Sequence, residues 1–319
     1  MSKRIVERLK LILLLAGMAL LVAAPLVSPE FLVTMLIRYM YYGLLTISFA
    51  FLAGQLGLFS LMVPVSLTLC AYLIGLGTLR WHMNIWVAVL LGIFGSQVFA
   101  ALAGLMVNKS KGTSFLMLTL VISQLVWALS LQWTSVTNGT TGLLGITFPA
   151  YLNIFSQSAN VNAYYWTFLV FALCVAAVYC LTRSSYGLRL RGVRDSESRM
   201  IALGYRTSAL KWGAFMVSSL LSSIAGVLYV YNNGMITPDV MTLSSTNKAL
   251  ISSILGGTGS PLAGSMIGTV IYRTLDVMLS GLTRRYLTLV GLLFLTVILV
   301  LPEGITSIVK RLGRGKKHD

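Results

Sequence analysis

Residues equipped for chemistry are few in this chain, and their placement limits what it can do. The 319 residues include eight Asp and Glu, two His and three Cys. Cys70, Cys174 and Cys180 fall in apolar stretches with no Cys-x-x-Cys spacing, a pattern that supports neither a disulfide framework nor a zinc site. His82 and His318 have no acid or cysteine at ligand spacing, and no serine stands in a nucleophile-elbow motif, so neither a metal site nor an enzyme site is expected. The Gly-rich run 256–264 lacks the Lys and Ser/Thr of a phosphate-cradling loop, and Gly313-Arg-Gly315-Lys has the wrong spacing. Two charged features remain. Arg273 and Asp276, three apart in an apolar stretch, can pair on one helix face, preferably as a lone structural ion pair and otherwise in a gating or proton-relay role. With so few acids there is no material for a carboxylate and histidine relay, which points to a pathway that is externally powered or passive.

The second charged feature is a polar island at 184–211, between two long apolar stretches. Its acids are Asp195 and Glu197. A short helix beginning near Asp195 would put Arg194, Asp195 and Glu197 at its first turn, where acids are favoured by the helix dipole, and Gly204 would stop it. Uncharged groups supply the rest. Ser60, Ser66 and Thr68 on one segment, and Thr113, Ser114 and Thr119 on another, offer hydroxyls that suit a neutral or zwitterionic solute. The same hydroxyls can instead bond carbonyls or hold helices together. Gly256, Gly257 and Gly259 can open backbone groups toward a solute, whereas Gly264 and Gly268 have small-xxx-small spacing and are assigned to helix packing.

The elements that must position these groups follow from composition. At 57% hydrophobic and 10% charged residues, with a mean hydropathy of +0.85, a soluble fold would expose far more apolar surface than globular proteins do. The expected class is an all-α polytopic membrane protein, since each crossing needs roughly 20 mostly apolar residues in a helix. Such runs occur at 11–28, 31–54, 58–79, 84–107, 113–133, 163–182, 210–231 and 286–301. The stretch 244–282 reads as a broken or re-entrant segment around its glycines, giving about 8–10 transmembrane helices in one domain over 1–319. The first run is read as a retained helix rather than a cleaved leader.

The net charge of +16 is explained by topology rather than by nucleic acid, because no interleaved basic and aromatic surface is present. Lys3 to Lys10, Lys109 and Lys111, Arg183 to Lys211, and Lys310 to Lys317 hold 18 of the 24 Lys and Arg. If these clusters are cytoplasmic, where anionic membrane lipids attract them, both termini and the loop 184–209 lie inside. Residues 134–162 then face outside. That loop contains Asn138, Gly139 and Gly142, either an ordinary surface turn or a short lip around a pathway.

Several segments, in order, resemble the permease family of bacterial ABC importers for branched-chain amino acids. They are Gly54-x-x-Gly57-x-x-Ser60-Leu61, Lys111-Gly112-x-x-Phe115-x-x-x-Thr119-Leu120, Thr137 to Ile146, the island from Ser184 to Gly204, Ala225-Gly226-x-Leu228-Tyr229, Leu255-Gly256-Gly257-x-Gly259 and Pro302-Glu303-Gly304-Ile305. Leu58 stands where the family has Gln, and Arg199 and Met200 where it has two alanines. The resemblance implies that Arg194 to Gly204, including Asp195, Glu197 and Ala202, is the coupling helix that seats in an ATP-binding subunit. It also implies a bacterial inner-membrane location, a second homologous permease, two ATP-binding cassette subunits and an external solute-binding protein. No cofactor is then bound by this chain, and ATP and Mg belong to the partner subunits. Permeases for urea or short amides share the resemblance, and a passive channel or secondary carrier is the reading from a different class.

Overall fold

The computed structural model describes residues 30–110, 112–147, 159–257 and 262–282, with isolated positions Pro25, Thr288, Gly291 and Leu292. The expected spans at 11–28 and 286–301 fall almost wholly outside these residues. Within them the chain is helical: α1 (Glu30–Leu56), α2 (Val63–Leu79), α3 (Ile85–Val107), α4 (Gly112–Gln132), the single turn α5 (Thr134–Thr137), α6 (Ala159–Arg183), α7 (Ser185–Asp195), α8 (Glu197–Ala202), α9 (Thr207–Asn233), α10 (Leu243–Gly256) and α11 (Ala263–Leu282). A two-residue ribbon pairs β1 (Leu143–Leu144) with β2 (Met235–Ile236), antiparallel. Five of the described helices, α1, α3, α4, α6 and α9, are long and apolar enough to cross a membrane. The protein is an all-α polytopic membrane protein.

The core is built on α1, α2 and α9, with α3, α4 and α6 packed outside. On α1 Leu44, Ile47, Phe49, Phe51 and Leu52 are all but inaccessible. On the outer helices Leu90, Phe94 and Leu102, Met117, Val121 and Leu125, and Leu173 stand exposed in rows that suit lipid. Lipid tails are as apolar as Leu, so burial of such side chains gives little drive for helix association; close packing and hydrogen bonds supply it instead. The α9 serines show this. Ser218 and Ser48 exchange bonds with each other's carbonyls at 2.9 and 2.7 Å, Ser219 donates to Ser66 at 2.8 Å, and Ser222 donates to the Val63 carbonyl. One position on, Ser223 lies 2.8 Å from Ser96. Beside this seam, a Cβ on Gly226 would run into the Leu67 carbonyl, so α9 and α2 touch backbone to backbone.

One expected span needs correction. The run 58–79 becomes helical only at Val63, because Gly57 turns the chain with φ +69° and Pro64 favours a helix start at the next turn. Residues 57–62 form an irregular connection in which Ser60, Leu61 and Met62 are nonetheless buried. Such backbone is tolerated at depth only where protein satisfies it.

Candidate functional site

The island folds into two short helices with a kink between them. Ser184 caps α7 by accepting from the Gly187 amide, and Ser196 caps α8 by accepting from the Arg199 amide. The expected single helix starting near Asp195 is therefore corrected. Arg194 and Asp195 close α7, because Ser196, a strong capping residue in extended backbone, restarts the helix after them. Glu197 alone of the three sits in the first turn of α8. At the far end Leu203 and Gly204 finish the turn, with Gly204 at φ +82° and its N–H donating to the Ile201 carbonyl.

Two of the island's ions, Arg194 and Glu197, are tied into the protein. Arg194 donates from Nη1 to the Gly54 carbonyl at 2.6 Å, near the end of α1, and its stem packs on Gly57. Its other contact is Asp195 at 3.5 Å. Glu197 pairs with Lys211 of α9 at 2.6 Å, with side chains only 22% and 9% exposed, and also lies 3.4 Å from the Thr207 hydroxyl. What faces away is mixed: Leu188, Ile201, Leu203 and Tyr205 are exposed, with Ala202 and Gly204 between them, alongside the charged Arg189, Asp195, Arg199 and Arg206.

Arg194 leads directly to the break between α1 and α2, where the two hydroxyl candidates lie. Thr119 of α4 accepts from the Leu61 amide at 3.1 Å and donates to the Leu116 carbonyl at 2.9 Å, while Ser60 Oγ lies 3.4 Å from the Met62 amide. Both are buried, and both satisfy the irregular backbone. Ser66 bonds Ser219, and Thr68 bonds the Pro64 carbonyl. Thr113 and Ser114 are exposed at the start of α4. These hydroxyls hold the break and the helix seams in place.

The glycines of the broken segment serve contact between α10 and α11. A Cβ on Gly256 would land on the Gly264 carbonyl, one on Gly264 on the Gly257 carbonyl, and one on Gly268 on the Ser252 carbonyl. Gly257, at φ +96°, ends α10. Gly259 lies outside the described residues.

Arg273 and Asp276 do pair, at 3.4 Å, but the pair is not a lone one: Lys248 of α10 reaches the other oxygen of Asp276 at 3.7 Å. Arg273 also lies over the Tyr42 ring, 3.2 Å from its centroid. Lys248 and Arg273 line a cleft of about 220 Å³ between α10 and α11 on one side and α1 and α9 on the other. Asp239, in the 3-10 turn Pro238–Met241, lines its rim. Sequence reading overlooked Lys248 and Asp239, although Lys248 is a solitary cation in an apolar stretch, the usual mark of function within a membrane.

The loop with Asn138, Gly139 and Gly142 braces this rim. Asn138 and Gly139 adopt positive φ, Thr137 holds the preceding turn through the Ser130 carbonyl at 2.6 Å, and a Cβ on Gly142 would overlap the Ile236 carbonyl. Leu143 and Leu144 then pair with Ile236 and Met235, just ahead of Thr237 and Asp239. The loop is thus neither a free turn nor an isolated lip.

Buried helix breaks, hydroxyl seams and a charged cleft among long apolar helices define a polytopic membrane protein. Residues 31–302 match the family described as branched-chain amino acid transport system / permease component, and the chain belongs to that family. It is similar to the high-affinity branched-chain amino acid transport system permease protein LivM of Salmonella typhimurium, with 23% identity over 319 residues, 93% of this chain and 75% of that protein. It is also similar to the corresponding protein LivH of Escherichia coli K12, 26% identical over 69% of this chain and 75% of LivH. The autoinducer 2 import system permease protein LsrC of Klebsiella pneumoniae is 26% identical over 41% of this chain and 39% of its own length. No solved structure matches the chain.

Proposed function

We propose that the chain is one of two membrane subunits of a binding-protein-dependent importer of branched-chain amino acids, powered by separate ATP-binding subunits that seat on α8. The observation that carries this reading is the division of labour in the island. Arg194 and Glu197 are tied back to α1 and α9 while Ile201, Leu203 and Tyr205 face outward among exposed arginines, a surface suited to a protein groove. Closure of the ATP-binding subunits would push α8, and Arg194 would carry the displacement to the α1–α2 break. Similarity to LivM and LivH favours branched-chain amino acids over urea or short amides.

The test is reconstitution of the chain with a second permease, two ATP-binding subunits and a binding protein in liposomes. Leucine uptake that requires ATP and Mg and is stimulated by the binding protein is the expected result. Urea uptake under the same conditions moves the solute assignment, and leucine uptake without ATP replaces the importer by a passive carrier.

A further inference from the structure

We propose that the apolar groove between α3 and α6 holds one acyl chain of a phospholipid, taken from the bilayer leaflet on the side away from the island. α3 packs on α2 and α9, and α6 on α1, with little direct contact between α3 and α6. The gap they leave is a cavity of about 290 Å³, floored by Ile224, Val227 and Leu228 of α9 and walled by Val89 and Ile93 of α3 and Val170 of α6. The 27 residues of α9 run about 40 Å, so a groove floored by the half of α9 nearer Asn233 lies in the leaflet opposite the island.

Its length suits a lipid tail. From Ile85 to Ile93 along α3 the groove runs about 12 Å, most of the roughly 15 Å that one leaflet contributes to the hydrocarbon core. Trp86, in the first turn of α3, and Tyr231, in the last turn of α9, set its end at headgroup level, where amphipathic rings concentrate. Beyond that end, Ile85 also lines a more polar cavity with His82, Asn84 and Thr147, which places polar groups where a headgroup would lie.

Other occupants fail on chemistry or size. No polar atom faces the groove, so ordered water, an amino acid or a metal ion would find no partner there. Spread over about 12 Å, the volume amounts to a section of roughly 24 Å², too narrow for a second helix, which is about 10–12 Å across with its side chains. An empty groove would forfeit the dispersion contacts of its lining. The bilayer supplies the remaining candidate directly, because the groove opens between rows that already face lipid. Leu90 and Phe94 stand one position on from Val89 and Ile93, and Leu169 and Leu173 flank Val170. A tail in the groove is packed by three helices, whereas a tail on those rows meets one, so the seated lipid exchanges more slowly.

The test places the full chain in nanodiscs made with a phosphatidylcholine that carries a mid-chain diazirine. The protein is then moved into an excess of unlabelled phosphatidylcholine, irradiated, and mapped for lipid adducts. After this chase, adducts at Val89, Ile93, Val170 and Ile224 should exceed those at Leu90, Phe94 and Leu173 at least about threefold, because slower dissociation retains the seated lipid. Val89→Trp and Val170→Trp, which fill the groove, should each lower its adducts to the level of the open rows, and Leu90→Trp should leave them unchanged. Equal loss of adducts from groove and rows in the unaltered chain overturns the proposal, whether or not the filled variants fold. Undiminished groove labelling in a filled variant that melts normally also overturns it. Adding the second permease should not alter the pattern, and loss of the groove adducts on its addition would assign the groove to that subunit instead of a lipid.

Discussion

At the Thr207 end of α9 Glu197, Lys211 and Arg194 are tied into the protein, whereas at the Asn233 end Lys248, Arg273 and Asp239 line open space. Glu197 is held by Lys211 and Arg194 by the Gly54 carbonyl, and the island presents Ile201, Leu203 and Tyr205 outward among exposed arginines. Lys248, Arg273 and Asp239 instead line a cleft, and Asp276 contacts both cations. Similar residue types thus serve opposite purposes. An ion satisfied internally fixes the shape of a surface element, and an ion that lines a cleft is within reach of whatever enters it. Neither property can be assigned from a side chain's sequence neighbours, because each depends on which other helix lies opposite.

The change that should break the cleft end most severely is Gly268→Val. Its side chain would overlap the Ser252 carbonyl and the Gly256 amide, backbone atoms that cannot yield without parting α10 from α11. Overpacking of this kind costs about 3 kcal/mol or more. Thermal unfolding of the purified protein in detergent should show a large loss of stability, and unchanged melting would mean that the two helices do not meet at these glycines.

At the other end, Lys211→Met should cost up to about 3 kcal/mol, because it leaves the Glu197 carboxylate half-buried without its partner. Glu197→Gln in the same chain should restore most of that loss. A double-mutant cycle reads the pair directly, and independent effects of the two changes would remove the ion pair from the island's support.

Thr119→Val sharpens the comparison from the middle of the molecule. Removal of the hydroxyl leaves the Leu61 amide without its acceptor inside the α1–α2 break, at a cost of about 1–2 kcal/mol. Thr119→Ser should be nearly neutral. A solute-contact role would give the opposite signature, with stability intact and transport altered.

Much of the fold was legible because membrane helices announce themselves by length and apolarity, and α1, α3, α4, α6 and α9 lie close to the expected runs. The α1–α2 break was harder to read: Gly57 and Pro64 are common enough inside membrane helices that nothing local marks 57–62 as irregular. The island was visible as a polar segment, and Gly204 as its stop. The capping by Ser196 was available in the sequence but was outweighed by the run of charges at 194–197. Arg273 and Asp276 could be paired by their spacing. Lys248 and Asp239 could not be added to them, because the contact requires α10 to fold back on α11 and the β1–β2 ribbon to hold the turn after α9. Long-range closure of that kind leaves no periodic trace in the chain.

The smallest expected effect on stability, and the sharpest test of the contrast, is Leu203→Asp. Leu203 is 71% exposed beyond the end of α8, outside the long apolar helices, so its replacement removes no core contact and should change unfolding by no more than about 0.5 kcal/mol. Leu203 stands with Ile201 and Tyr205 among the exposed side chains at the end of the island. A protein groove that covers this face would bury the side chain, worth about 1.5–3 kcal/mol for a leucine, and would also have to desolvate the new carboxylate. Loss of the leucine alone corresponds to at least about tenfold weaker binding. Pull-down of the ATP-binding subunits by Leu203→Asp should therefore fail or fall sharply while the protein inserts and melts normally. Ser198→Asp, which exchanges one exposed polar side chain for another on the same short helix and removes no apolar contact, should be milder. Equal retention of the ATP-binding subunits by both variants would show that the outward face is not where they seat, and the tied ions of the island would then serve only to fold it.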